Sequence, residues 1–218
     1  QKRLRAAVRA AVDRYTAEEL GGLEHQSQRF RYLFRRLLRS VQAVVDNVAQ
    51  ELCASRFRPI SFELGFGSRG ELPPVELTAE GVTISVSGFV DRVDGWLHDG
   101  RLYLRVVDYK TGKKDFDYCD VFNGVGLQML LYMFALKSSG SDMLGDRPVA
   151  AGVQYFPARA PYLTSDGKLT AEEAEQERIS KWKRKGLLLN DEDVLQAMEP
   201  GDAPKRMCYS VKKDGTIS

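Results

Sequence analysis

The run Val106-Val-Asp108-Tyr-Lys110-Thr-Gly112 constrains this chain more than any other stretch. An apolar run that ends in Asp-x-Lys reads as a strand. Side chains alternate across a strand, and two residues rise about 6.6 Å along one face. Asp108 and Lys110 then address one small volume, and Tyr109 faces the other way. A second acid, Asp91, lies near the end of an earlier strand-like run, Gly88-Phe-Val-Asp91-Arg-Val-Asp94. Two carboxylates and an ammonium around one point suit a divalent metal acting on a phosphodiester. The acids hold the ion, the ion binds the phosphate and activates water, and the lysine offsets developing negative charge. Asp94 stands an odd number of residues from Asp91, so it belongs to the opposite face. It reads as a structural acid paired with Arg92 or Arg105. Glu63, on the polar face of its own strand, reads as a structural ion pair rather than a third ligand.

Helices precede this region. Leu4, Val8, Ala11, Val12 and Tyr15 recur at helical spacing over residues 2–20, and Gly21-Gly22 ends the pattern. Phe30, Leu33, Phe34, Leu37, Leu38, Val41, Val44, Val45 and Val48 predict a second helix over roughly 24–54, with this stripe as its packing face. After Pro59 the period changes to two. Ile60, Phe62, Leu64 and Phe66 alternate with small or polar residues, which predicts a half-buried strand. Val82, Ile84 and Val86 predict a strand that runs on through Gly88 and Val90. His98-Asp-Gly100 is a hairpin turn into Leu102–Asp108. An apolar helix is expected over 124–136, a buried strand over 150–156, a charged helix over 170–185 and a short helix over 191–198. The sum is a mixed α/β domain.

Composition bounds the rest. At 218 residues the chain can bury one large core. No apolar run of about 18 residues occurs, which argues against a membrane span. The chain has no initiator Met and reads as a stretch of a longer protein. Cys53, Cys119 and Cys208 form no Cys-x-x-Cys or Cys/His group, which points away from a zinc or cluster site built here and toward a reducing, cytoplasmic setting. Charge is uneven beneath a net of +2: residues 1–58 carry 12 Lys/Arg against 6 Asp/Glu. Arg31, Arg35 and Arg39 fall at i, i+4 and i+8, one stripe of a helix. A basic arm beside an acidic metal site suits a polyanion such as DNA. Lys113 and Lys114 are further candidates for phosphate contact.

Three pieces together, Gly88-Phe-Val-Asp91-Arg-Val-Asp94, Val107-Asp108-Tyr-Lys110-Thr-Gly and Gly126-Leu-Gln128-Met-Leu-Leu-Tyr132, resemble the PD-(D/E)xK nuclease superfamily in its RecB-like branch. Trp182-Lys-Arg-Lys-Gly186-Leu-Leu-Leu-Asn-Asp191 and Val211-Lys-Lys-Asp-Gly215 also resemble the AddB-type helicase–nuclease subunits. The resemblance implies a restriction-endonuclease-like mixed β-sheet flanked by helices. Residues 1–57 would form a helical lead-in and 58–218 the nuclease core with a C-terminal extension, one structural domain overall. It implies Mg²⁺ or Mn²⁺ held by Asp91, Asp108 and the Tyr109 carbonyl, with Lys110 activating water. Gln128 and Tyr132, one helical turn apart, would brace the site or touch DNA. Expected partners are DNA, a partner helicase–nuclease subunit and the rest of the chain's own protein.

Two features of those families are missing. RecB-like nucleases carry a His upstream in a Gly-x-x-x-His context, which neither His25 nor His98 shares. AddB-type relatives hold an iron–sulfur cluster through cysteines that this stretch does not carry. Weak activity is therefore expected of the 218 residues alone. The alternatives are a catalytically silent DNA-binding scaffold, against which the intact Asp91, Asp108 and Lys110 argue, and a free-standing RecB-like exonuclease.

Overall fold

The computed structural model describes residues 2–112, 114–139, 148–163, 169–201 and 203–209. Two helices lead in, α1 (Lys2–Leu20) and α2 (Gln28–Ala54). α2 begins at Gln28 because the Ser27 side chain accepts the Phe30 N–H at 3.2 Å and caps the first turn. β1 (Arg58–Phe66) follows, then a small hairpin of β2 (Val75–Ala79) and β3 (Val82–Val86), and then β4 (Gly88–His98) and β5 (Arg101–Lys110). α3 (Tyr118–Phe122) and α4 (Gln128–Ser139) lead to β6 (Val149–Pro157). α5 (Ala171–Lys181), β7 (Lys185–Leu188) and α6 (Glu192–Met198) complete the described chain.

The main sheet has the order β1-β4-β5-β6-β7. All its pairs are antiparallel except β5–β6. A parallel pair needs a crossover, and the segment carrying α3 and α4 supplies it. The predicted hairpin at His98-Asp-Gly100 is present, with Asp99 and Gly100 both at positive φ. Two expectations fail. The strand expected to run from Val82 through Val90 is split at Ser87, and β3 pairs only with β2 in a separate two-stranded sheet. The charged helix expected over 170–185 stops at Lys181, and Lys185 already belongs to β7. β7 lies unusually close to β6: a Cβ on Gly186, at φ +158, would sit 1.9 Å from the Val153 carbonyl oxygen. Only glycine allows that approach.

The two faces of the sheet bury different chemistry. One packs α4 through Met129, Tyr132, Met133 and Leu136 against Val93, Leu104, Val106 and Val153. On the other, Phe57, Trp96, Val194, Met198 and Met207 cluster beneath α6. A buried charge network ties α2 to the sheet here. Glu51 reaches Arg105 of β5 at 2.9 Å, Arg92 of β4 at 3.3 Å and Arg184 beside β7 at 2.7 Å. Asp94 meets Arg92 at 3.0 Å and Arg105 at 2.6 Å, the structural pairing expected of it. The expected packing stripe of α2 is only partly covered: Leu33 and Leu37 are 50% and 57% exposed. Among the described residues no helix is long and apolar enough to cross a membrane.

Candidate functional site

The register of β4 and β5 builds the site. Arg92 and Val107 form the last pair of this ladder, and Asp91 and Asp108 follow directly beyond its end. Each stands one residue from that pair, so strand alternation brings both side chains to one face. Lys110 shares this face, and Tyr109 turns to the other, where its hydroxyl accepts from Arg92 Nη1 at 2.7 Å. The backbone N–H of Tyr109 donates to Asp91 Oδ2 at 2.7 Å. Asp91 is thus pinned to the neighbouring strand at the point where Asp108 and Lys110 emerge.

Asp108 is the floor of the site, 1% exposed. Burial pushes its carboxyl pKa up, the Lys110 ammonium pulls it back, and the charge of Asp91 adds to the rise. Burial lowers the Lys110 pKa, but Asp108 and Asp91 together raise it further, so the ammonium stays charged. Lys110 Nζ stands 2.7 Å from Asp108 Oδ2, a charge-assisted contact with the buried acid. Lys110 Nζ also lies 3.4 Å from Gln128 Oε1, whose amide donates to the Tyr132 hydroxyl. α4 thereby supplies a two-residue relay that holds the lysine over the acids.

The donor set fits a small hard cation. Asp91 and Asp108 offer carboxylate oxygens, the hard donors that a divalent cation such as Mg²⁺ or Mn²⁺ takes. No cluster of three His, Cys, Asp or Glu side chains stands close enough to cage an ion among the described residues. Glu63, at φ +50 in β1, is exposed. His98 stacks on Trp96 with ring centroids 4.5 Å apart, away from the acids. Cys53, Cys119 and Cys208 are exposed and free.

The other expected residues are less gathered. Lys113 and the Val211–Gly215 stretch lie outside the described residues. Lys114 and Lys110 line one cleft of about 440 Å³. Arg35 and Arg39 are exposed on α2 and Arg31 half-buried; Arg39 Nε contacts the Arg35 carbonyl at 3.4 Å. It is Arg36, outside that stripe, that reaches the cleft rim, donating to the Tyr162 hydroxyl at 3.0 Å. Two residues of the site face are not legible in the sequence. Tyr155 pairs with Asp108 across β5–β6, and Lys185 pairs with Tyr155 across β6–β7. They continue the row begun by Asp91 and Asp108, and only the sheet register reveals them.

A family model, the PD-(D/E)XK nuclease superfamily, matches residues 1–206. Proteins named as one of the subunits of an ATP-dependent helicase/deoxyribonuclease are similar over most of the chain. The Bacillus subtilis protein is 36% identical over 211 residues, covering 95% of this chain and 18% of its own length. Those of Acetivibrio thermocellus and Moorella thermoacetica are 36% and 35% identical over 194 and 202 residues, covering 88% and 89% of this chain. The chain therefore spans about 17–18% of the length of these relatives. The match runs from the lead-in helices through every strand of the sheet, and the chain belongs to the PD-(D/E)XK nuclease superfamily.

Proposed function

We propose that this chain is the metal-dependent DNA nuclease domain of an AddB-type helicase–nuclease subunit, hydrolysing phosphodiesters of an exonuclease substrate during double-strand-break repair in the cytoplasm. The observation that carries it is Asp91 held by the Tyr109 N–H at the end of the β4–β5 ladder, beside Asp108, with the Lys110 ammonium 2.7 Å from that buried acid. The naming of the relatives as helicase/deoxyribonuclease subunits supports the assignment to DNA and to a complex with a second subunit. In such a protein the iron–sulfur cluster belongs to cysteines outside this stretch. Residues 1–57 and 58–218 act as one domain, an assignment supported by the Glu51 contacts between α2 and the sheet.

Each residue has a distinct task. Asp91 and Asp108, with the Tyr109 carbonyl, would hold Mg²⁺ or Mn²⁺; Asp91 fixes the Tyr109 backbone through its N–H, and Arg92 anchors the Tyr109 hydroxyl on the other face. The bound cation supplies positive charge at the scissile phosphate and makes water more acidic. Lys110 orients that water and neutralises charge that grows toward the transition state. Gln128 and Tyr132 keep Lys110 in place. Lys110→Ala is expected to lower turnover by about 10²–10³-fold with DNA affinity within about twofold, because its charge is needed more in the transition state than in the ground state. Single-turnover cleavage beside equilibrium binding separates the two. Lost affinity with unchanged turnover on bound DNA would make Lys110 a docking residue.

Arg31, Arg35, Arg39, Lys113 and Lys114 are assigned to the phosphate backbone. Replacing Arg31, Arg35 and Arg39 together with Gln is expected to weaken binding of all sequences alike. It should flatten the log–log salt dependence by up to about 0.7–0.9 per lost contact. An unchanged slope in a salt titration would return these arginines to a solvated helix face.

A further inference from the structure

Beyond the acid cluster, the strongest feature of the surface is the cleft of about 440 Å³ that opens beside Lys110. Its cationic lining is Lys110, Lys114, Arg159, Lys181, Lys183 and Lys185, against Asp115 as the acid among the described lining residues. Asp115 pairs with Lys185, and Lys181 with Glu177 at 2.6 Å. Both are surface pairs of a kind that contributes little, so a phosphate can displace the carboxylate at small cost. The cleft is continuous with the proposed nuclease centre. Tyr155, in its wall, sits between Asp108 and Lys185 in the row that crosses the sheet.

The far rim carries rings. The Arg36 guanidinium lies 5.9 Å from the Tyr32 ring and 5.8 Å from the Tyr162 ring. Tyr162 is 64% exposed. This rim is held in place before any ligand arrives. The Ala160 N–H donates to Ser40 Oγ at 2.8 Å, Trp182 Nε1 donates to the Arg159 carbonyl at 3.0 Å, and Lys181 Nζ donates to the Tyr162 carbonyl at 2.5 Å. α2, α5 and the strand extension after β6 are thereby joined into one wall. A preorganised wall saves ordering cost on binding.

We propose that this cleft is a second binding site, for the phosphodiester backbone of single-stranded DNA running away from the scissile bond, with a base stacked on Tyr162. Lys183, Lys185, Lys114 and Arg159 contact successive phosphates. The proposal rests on the nuclease reading for its direction, but not for its chemistry. A cationic groove with an exposed ring is the arrangement that holds single strands without regard to sequence. Duplex DNA satisfies it poorly, because its bases are paired and stacked inside and unavailable to Tyr162. A cleft of this volume also matches a nucleotide-sized ligand rather than a double helix.

The test is fluorescence anisotropy on the full chain in EDTA, with a labelled dT12 oligonucleotide and a labelled 12-base-pair blunt duplex, titrated across NaCl. Lys183→Gln with Lys185→Gln is expected to weaken dT12 by at least about tenfold and to flatten its salt slope by up to about 0.7 per lost contact. Tyr162→Ala is expected to weaken dT12 by about tenfold, with Tyr162→Phe restoring it. Lys183→Arg with Lys185→Arg is expected to keep the slope. The duplex should lose less in every variant. Failure of the unsubstituted chain to bind dT12, an unchanged slope in the Gln variant, or an equal loss on the duplex would each overturn the proposal. Cleavage of the same oligonucleotide in Mg²⁺ or Mn²⁺ is scored separately. Weak or absent cleavage is the expectation for these 218 residues alone and leaves the cleft assignment standing, because the binding arms are read in EDTA.

Discussion

Asp108→Asn is expected to lower Mg²⁺- or Mn²⁺-dependent cleavage by at least about 10³-fold while the melting temperature stays level or rises. The change keeps the side chain's shape and removes the charge that holds the ion. Its effect on stability follows from burial. The folded state raises the pKa of Asp108, so the ionised carboxylate at neutral pH weakens the fold, and the neutral amide removes that penalty. Against this stands the loss of the Lys110 ion contact, made by a side chain that is 31% exposed. A second readout does not depend on cleavage. Metal binding stabilises the folded chain by mass action, so millimolar Mg²⁺ or Mn²⁺ should raise the melting temperature of the unsubstituted chain and not that of Asp108→Asn. Undiminished cleavage by Asp108→Asn would end the assignment of this acid to the ion, and an equal metal-induced shift in both proteins would place the ion elsewhere.

The geometry on which this rests was largely legible in the sequence, because it depends on strand alternation alone. Asp108 and Lys110 share a face, Tyr109 and Asp94 take the other, and the His98-Asp-Gly100 turn fixes the register that ends at Arg92 and Val107, just before Asp91 and Asp108. These are consequences of local period and one tight turn. The break at Ser87 was not legible, since Val82 to Val90 alternates almost without interruption. Pairing decides it: β3 finds its partner in β2, and β4 begins afresh at Gly88 against β1. β7 was hidden for another reason. Lys183, Arg184 and Lys185 read as the end of a charged helix. Arg184 is instead fully buried, with its guanidinium 4.4 Å from the centre of the Phe156 ring and bonded to Glu51. Without β7 the row of Asp91, Asp108, Tyr155 and Lys185 cannot be seen, and neither can the basic cleft beside it. The Arg31–Arg39 stripe drew attention in the sequence because charge is conspicuous there. Arg36 and Tyr162 gain their place only from a contact across 126 residues.

Glu51 is the plainest case of a residue whose importance the sequence conceals, and its replacement is expected to have the largest effect on stability. In the amphipathic pattern of α2 it is one polar residue among many. In the fold it is 2% exposed and faces Arg92, Arg105 and Arg184. Burial alone would push its carboxyl pKa up. The guanidiniums of Arg105, Arg184 and Arg92 overcome that and hold it down, from 4.5 to about 2. A carboxyl whose pKa is depressed in the folded state stabilises that state above its unfolded pKa and loses the contribution as pH falls. Here the window is about pH 4.5 down to 2, and a shift of this size corresponds to about 3 kcal/mol. Glu51→Gln keeps the volume and leaves the three arginines with Asp94 as their remaining buried acid in the network. Breaking one partner of a buried charge cluster typically costs about 3–5 kcal/mol. Urea denaturation at pH 7 is expected to show a loss in that range. As pH is lowered from 6 toward 3, the gap between the two proteins should narrow below about 4.5, because Glu51 of the unfolded chain takes up a proton there and the folded carboxylate loses its advantage. A variant with an unchanged urea midpoint, or a gap that stays constant with pH, would show that the three arginines are satisfied without Glu51 and that α2 is held to the sheet by its apolar contacts alone.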